Sequence, residues 1–328
     1  MAANYTLIVL AGFLLSALFI SIFSKIVAKY NILKLKDIPL VGGIGMGISL
    51  VIVSLTVLFL QRAMSVEIFG IILSSMLMLV FGVIDDWREL SILAKFLVQI
   101  IAATILIIFG IRTQIMHIGC FLNVAVTYIW ILAITNALNH LDVLDGLAAG
   151  IAILAGLAFF IISHLNHQGT IAILSLTLTT ASLGFFIFNF PPARVYMGNC
   201  GSHFLGFTLA AIALGISYAP LERKIALAAP LLILGFPIFD TLFLILMRLS
   251  RNRVPFKKSN DHLALRFLTL GYSKKRALLI MLAWSLLFSC CGVLISQLSN
   301  FWGIVIIIIA LVISLAITRR MSRISVDG

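Results

Sequence analysis

The segment Ile304-Val305-Ile306-Ile307-Ile308-Ile309-Ala310-Leu311-Val312-Ile313-Ser314-Leu315-Ala316-Ile317 decides the fold class. Its single polar residue is Ser314, so it lacks the apolar–polar alternation of a transmembrane β-strand. An unbroken apolar run of this kind suits a helix in lipid, and runs of about 20 residues, each enough to cross a bilayer core, recur along the chain. Of 328 residues, 62% are hydrophobic and 10% are charged. Soluble domains carry about 25% charged residues, so this chain has too few to cover a water-facing surface. The expected architecture is all-α: one domain, residues 1–328, forming a polytopic membrane bundle of ten or eleven helices. Eleven spans are expected at roughly 5–24, 39–60, 66–84, 93–111, 120–135, 147–163, 170–190, 203–219, 225–247, 277–296 and 301–318.

The four cysteines (Cys120, Cys200, Cys290, Cys291) form neither a CxxC pair nor a zinc-like cluster, and no small core needs a disulfide framework. The first apolar run, Leu7–Phe23, lacks a basic leading region and an obvious cleavage site, so it reads as a retained span.

Charge sets the orientation. With the first span running from outside to inside, 19 of the 23 basic residues fall on inner segments, leaving Arg62, Arg112, Arg223 and Lys224 outside. Basic residues favour cytoplasmic loops. The net charge of +12 is thereby accounted for as a topology signal that also suits anionic lipid, and no nucleic-acid partner is called for. Nine of the eleven acids collect on the same side: Asp37, Asp85, Asp86, Glu89, Asp142, Asp145, Asp240, Asp261 and Asp327. The orientation rule hardly constrains acids. A divalent cation or a phosphorylated substrate at the inner face would give them a reason to gather.

Four constellations carry chemistry. Asp85-Asp86-Trp87-Arg88-Glu89 ends the third span, and adjacent carboxylates repel unless a cation or proton lies between them. In Asn136-Ala137-Leu138-Asn139-His140-Leu141-Asp142-Val143-Leu144-Asp145-Gly146-Leu147, Asn and Asp recur at spacings of three, which puts neighbouring members on one helical face. Hard cations take such oxygen ligands. Helix capping accounts for one or two of the four, and His140 reads as structural. The stretch Asn189–Ser202 ends in Gly198-Asn199-Cys200-Gly201-Ser202 at the start of a span, where free backbone N–H groups attract phosphate. Arg194 within it is either a topology anchor or a diphosphate contact. The loop Arg248–Arg276 holds nine basic residues, among which Arg253, His262 and Arg266 stand out for nucleotide or sugar contacts. Asp240 just before it lies in a largely apolar stretch, and an intramembrane carboxylate is a functional candidate.

Taken in order, these segments resemble the bacterial polyprenyl-phosphate N-acetylhexosamine-1-phosphate transferases, relatives of the phospho-muramoyl-pentapeptide translocase. Asp85-Asp86 with Leu90, Lys95 and Gln99 is similar to the family's first aspartate motif, and Asn136–Leu147 to its Asn-x-x-Asn-x-x-Asp-Gly-x-Asp-Gly-Leu motif. Pro237, Phe239, Asp240 and Thr241 match its Pro-x-Phe-Asp-Thr segment, and Asp261-His262 with Arg266 its histidine loop. The resemblance implies transfer of a sugar-1-phosphate from a UDP-N-acetylhexosamine to polyprenyl (undecaprenyl) phosphate, with magnesium, or manganese in its place. It also implies the bacterial cytoplasmic membrane, an active site on the cytoplasmic side, and products destined for cell-envelope polysaccharide. A homodimer is compatible with it. Asp85 would take a proton from the lipid phosphate, with Asp86 assisting. Asn139 and Asn199 would hold the metal. Asn136, Asp142, Asp145, Arg194, His262 and Arg266 would contact substrate.

The chain departs from the family pattern at several of these positions. Asn199 stands where the family usually carries a metal-binding aspartate, and Val143 stands for a glycine. The His-x-His-His-Arg pattern survives as His262-Leu263-Ala264-Leu265-Arg266. Two other readings therefore stay open at this point: a degenerate member that binds substrate without efficient turnover, and a transporter. Against the latter, the acids gather at one face, and no inverted repeat is visible.

Overall fold

A computed structural model describes residues 4–116, 118–218, 223–250 and 262–324. Thirteen α-helices follow in order: α1 Tyr5–Tyr30, α2 Gly42–Leu60, α3 Val66–Trp87, α4 Ile92–Ile108, α5 Gly119–Leu141, α6 Leu147–Leu165, α7 Gly169–Asn189, α8 Gly198–Gly215, α9 Ala229–Ile233, α10 Gly235–Leu249, α11 Leu263–Thr269, α12 Lys274–Gln297 and α13 Asn300–Met321. Among the described residues, eight helices are long and apolar enough to cross a membrane, or nine if the bent Lys224–Leu249 pair is one span. The all-α polytopic bundle is what the composition predicts. Each of the eleven expected spans contains a helix, but α4 is a shorter apolar helix and α8 is not among the candidate spans, so the described helices that could span number fewer than the ten or eleven expected.

Three differences from the expected boundaries bear on the site. Helix α5 runs on to Leu141, so Asn136 and Asn139 are helical rather than connecting residues. Helix α8 starts at Gly198, five residues before the expected edge. The expected span at 225–247 is broken: a 3₁₀ turn Lys224–Ala228 leads through α9 into α10, and the two parts meet at a 68° bend. Gly235 stands at that bend against Phe288 of α12, where a Cβ would come within 2.7 Å of the ring.

Local chemistry marks several helix starts. Ser65, Ser91 and Ser273 each accept the backbone N–H three residues on, beginning α3, α4 and α12. In α7, the most enclosed of the spanning helices, Thr177, Thr179 and Thr180 return their hydroxyls to carbonyls one turn back. Their polar atoms are thus satisfied inside the bundle. Helix α13 keeps most of its apolar surface outward, including Phe301, Trp302, Ile308 and Leu315, as a lipid-facing helix does.

Small residues bring α2, α3 and α8 close together. A Cβ on Gly43 would lie 2.3 Å from the Gly201 nitrogen, and one on Gly82 would lie 2.2 Å from the Cys200 Cα. This is the small-residue packing expected where lipid, rather than water, surrounds the helices. It pins the start of α8 between α2 and the last turn of α3. A short hairpin, β1 Lys34–Leu35 and β2 Ile38–Pro39, closes the same end by bonding to the loop before α8, with the Tyr196 N–H donating to the Pro39 carbonyl at 2.9 Å.

Candidate active site

The ends of α3 and α5, helix α10 around Asp240, and the starts of α4, α6, α8 and α11 converge at one end of the bundle, and most of the predicted site residues lie there. Asp85 is buried in the last turn of α3. Its Oδ1 accepts the Leu90 N–H at 2.8 Å, and its Oδ2 faces Lys95 Nζ of α4 at 2.6 Å. Sequence reading had placed Lys95 in the aspartate motif without a role. The ion pair supplies one, because a buried carboxylate without a partner cation is costly.

Asp86 points the other way. Its Oδ1 accepts the Asn199 N–H at 2.7 Å, and its Oδ2 accepts the Cys200 N–H at 3.0 Å. This carboxylate therefore caps α8, a favoured arrangement at a helix N-terminus. The finding corrects the expectation that the Gly198–Ser202 amides are open to a phosphate, since two of them already serve Asp86. Gly198 is required here twice over. Its φ is +74°, and a Cβ would come 2.4 Å from the Asp86 Oδ2.

Asn139 and Asn199, the two residues expected to hold a metal, meet directly. Asn139 Nδ2 donates to Asn199 Oδ1 at 3.3 Å and to Ser202 Oγ at 2.8 Å. Asn136, one turn earlier, is committed elsewhere: it exchanges amide hydrogen bonds with Gln99 of α4 at 2.9 and 3.3 Å. That pair ties α4 to α5 and leaves the Asn136 amide occupied within the protein.

The loop between α5 and α6 carries Asp142 and Asp145. Asp145 Oδ2 accepts the Ala193 N–H at 3.4 Å and lies 3.6 Å from the exposed Lys274 Nζ. Asn189, passed over as a site residue, clamps this loop from α7 by accepting the Gly146 N–H at 2.8 Å and donating to the Val195 carbonyl at 2.9 Å. Asp142 accepts no hydrogen bond from a described residue. It reaches the surface with part of its area, yet protein surrounds most of it. Burial, with Asp86 and then Asp145 nearby, pushes its carboxyl from 3.8 up to about 8.

A carboxylate so placed suits a divalent cation, which would relieve its repulsion from two other acids. Among the described residues no group of three or more His, Cys, Asp or Glu side chains is arranged to hold a metal. A hard cation here would depend on amide oxygens, one carboxylate and oxygens brought by a phosphorylated substrate, a pattern magnesium tolerates.

Asp240, in α10, caps the next short helix: its Oδ1 accepts the Leu263 N–H at 3.3 Å, and its Oδ2 lies 3.4 Å from His262 Nδ1. His262 is buried and held by this contact. Arg266 does not join it. Its guanidinium stacks over Phe243 and donates to the carbonyls of Met321, at 2.9 Å, and Ile324. The resemblance implies a sugar or diphosphate contact for Arg266, but the fold spends this cation on the carbonyl end of α13, where a helix favours positive charge. Arg194 is exposed, lies over Phe188 of the preceding α7 and donates to the Ile187 carbonyl at 3.4 Å. Arg253 and Asp261 fall outside the described residues.

Comparisons with known proteins give the family. Residues 68–217 match the family described as glycosyl transferase family 4. A protein named probable undecaprenyl-phosphate N-acetylglucosaminyl 1-phosphate transferase, from Bacillus subtilis, is 30% identical over 299 residues, covering 88% of this chain and 81% of that protein. An undecaprenyl-phosphate alpha-N-acetylglucosaminyl 1-phosphate transferase of Thermotoga maritima is 28% identical, covering 78% and 77%. A decaprenyl-phosphate N-acetylglucosaminephosphotransferase of Mycolicibacterium smegmatis is 31% identical, covering 66% of this chain and 60% of its own length. The chain belongs to glycosyl transferase family 4, a family of membrane-embedded sugar-phosphate transferases.

Proposed function

We propose that the protein transfers N-acetylglucosamine-1-phosphate from a UDP-sugar to a polyprenyl phosphate, forming a lipid-linked diphospho-sugar and UMP. The relatives' names supply the substrate class. The observation that carries the reading is the Asp85–Lys95 pair at the end of the bundle where the polar residues gather. A carboxylate and an ammonium 2.6 Å apart offer an incoming phosphate both a proton acceptor and a counter-charge.

Asp85 would receive the proton of the lipid phosphate. The freed oxygen then bonds to the sugar-linked phosphorus of the donor, the bond from that phosphorus to the bridging oxygen breaks, and UMP leaves with the electron pair. Such transfers depend on positioning and charge neutralisation more than on covalent help from the protein. Asp86 is a positioning residue that fixes α8 and, through it, Asn199. Magnesium, where bound, would neutralise the donor's diphosphate, held by Asn139 and Asp142, with Asn199 beside Asn139. Asp145 and His262 border the same space and would contact the nucleotide or sugar. The charge distribution supports a site on the cytoplasmic side, and the family resemblance supports the bacterial inner membrane.

The test is transfer from radiolabelled UDP-N-acetylglucosamine to polyprenyl phosphate by the purified protein with magnesium. Lipid-linked product and UMP in equal amounts are expected. A failure to form product with any UDP-N-acetylhexosamine, magnesium or manganese being supplied, would reject the function.

A further inference from the structure

His203 takes no part in the proposed reaction, yet it lies beside the pair that carries it. It occupies α8 one helical turn after Asn199 and is 2% exposed. Its ring stands 6.2 Å, centroid to centroid, from that of Phe81 on α3. Phe81 precedes Asp85 by four residues, so the imidazole packs on the Asp85 face of α3, one turn further from the helix end. Among the described residues, Lys95, Asp85 and His140 are the titratable neighbours that act on it. Its Nδ1 is buried and has no hydrogen-bond partner among those residues.

An unpaired buried imidazole costs free energy that an apolar side chain in its place would not. Phe204 and Leu205, the next two residues of α8, are fully buried apolar side chains. Packing alone therefore gives no reason for a histidine at this position. The hydrogen-bond capacity around the Asp85–Lys95 pair gives one. Asp85 Oδ1 takes the Leu90 N–H, and Oδ2 faces Lys95. An ammonium carries three donors, and Asp85 is the partner that the described residues offer Lys95. Lys95 thus keeps donors to spare, while a neutral imidazole keeps one acceptor nitrogen. The two surpluses are opposite in kind and belong to neighbours. A metal ion is a poor match for that nitrogen, because Lys95 already brings a positive charge beside it.

We propose that His203 is a positioning residue, which accepts a hydrogen bond from the Lys95 ammonium when Asp85 takes the proton of the lipid phosphate. This inference rests on the transferase reading for that proton transfer. Before the transfer, Lys95 is held by a carboxylate 2.6 Å away. Protonated Asp85 is neutral, so its hold on the ammonium weakens just as the phosphate oxygen gains charge. A second acceptor on α8 keeps Lys95 in place, and the remaining donors serve the phosphate that it neutralises.

Two measurements test this. In the first, wild type, His203→Leu and His203→Asn are compared for kcat, for the KM of each substrate and for the UDP Kd by calorimetry. The asparagine amide oxygen can stand where Nδ1 stands in histidine. His203→Leu is expected to lower kcat about tenfold, the equivalent of one useful hydrogen bond, with the UDP Kd unchanged. His203→Asn should recover part of that loss. The second measurement starts from Asp85→Asn, whose amide is neutral like the protonated acid. In that background His203→Leu should lower the unfolding temperature while Lys95 is present, and should no longer do so once Lys95→Met is added. His203→Met replaces the leucine variant if the latter does not fold. An unchanged kcat in folded His203→Leu would overturn the proposal, as would a loss that His203→Asn leaves whole. Additive changes in unfolding temperature with Lys95→Met would overturn it too. If wild type forms no lipid-linked product, the transferase reading fails, while the unfolding cycle still decides whether His203 holds Lys95.

Discussion

Asp86 holds the first turn of α8 through both carboxylate oxygens, and its contact to the Asn199 N–H is 2.7 Å. The two aspartates of the Asp85-Asp86 pair thus serve different ends. One meets Lys95, and the other fixes the first turn of α8 that carries Asn199.

Asp86→Ala should therefore lower both stability and turnover, by about 1–2 kcal/mol for the lost cap. Asp85→Asn should abolish turnover while UDP still binds. Unfolding temperature and UDP titration separate the two variants. Gly198→Ala should reproduce the Asp86 defect, because its Cβ would strike the same carboxylate. A fully active Gly198→Ala protein would refute the arrangement.

Lys95→Met leaves the Asp85 carboxylate buried without its cation. The expected destabilisation is about 3–5 kcal/mol, and it should be largely relieved in the Asp85→Asn/Lys95→Met double variant. Additive losses in the double-mutant cycle would show that the two side chains do not interact.

Asp142 makes stability depend on pH in a defined direction. Its carboxyl titrates at about 8 in the folded protein against an ordinary 3.8, so the folded state retains a proton that the unfolded chain releases. The associated stability is complete below pH 3.8 and is lost as pH rises through 8. Unfolding temperatures of the metal-free protein across that range should fall more steeply in wild type than in Asp142→Asn. Magnesium should restore the wild type at the alkaline end and have less effect on the variant.

Asn199→Asp would keep the acceptor for Asn139 Nδ2 and add a negative charge at the same place. Magnesium should then support activity at a lower concentration, by about tenfold, since hard cations prefer carboxylate to amide oxygen. An unchanged magnesium titration would mean that residue 199 does not face the ion.

Arg266→Ala should act on the fold rather than on the donor. Losing a charged donor to the Met321 and Ile324 carbonyls should cost about 1.5–3 kcal/mol and expose the end of α13 to protease, with the donor KM unchanged. A raised donor KM at constant stability would return Arg266 to the site.

The architecture was legible early because lipid imposes it residue by residue. Each span must be apolar over its length and satisfy its backbone internally, so Ile304–Ile317 announces a helix without help from any other segment. The pairing of Asn and Asp at spacings of three likewise marked the end of α5 as chemical ground. Lys95 and Asn189 were harder to see, because their importance lies in partners on other helices.

By itself, then, the sequence determined the helical membrane class, the end of the bundle that carries the polar residues, and the family. Those properties depend on local hydropathy, charge and motif order. Which carboxylate pairs with Lys95 and which caps a helix was decided by the tertiary structure, as was the contact of Arg266 with the end of α13. Glycines 43, 82 and 201 let three helices approach within Cβ-excluding distance, and that approach sets where each side chain at the site can reach.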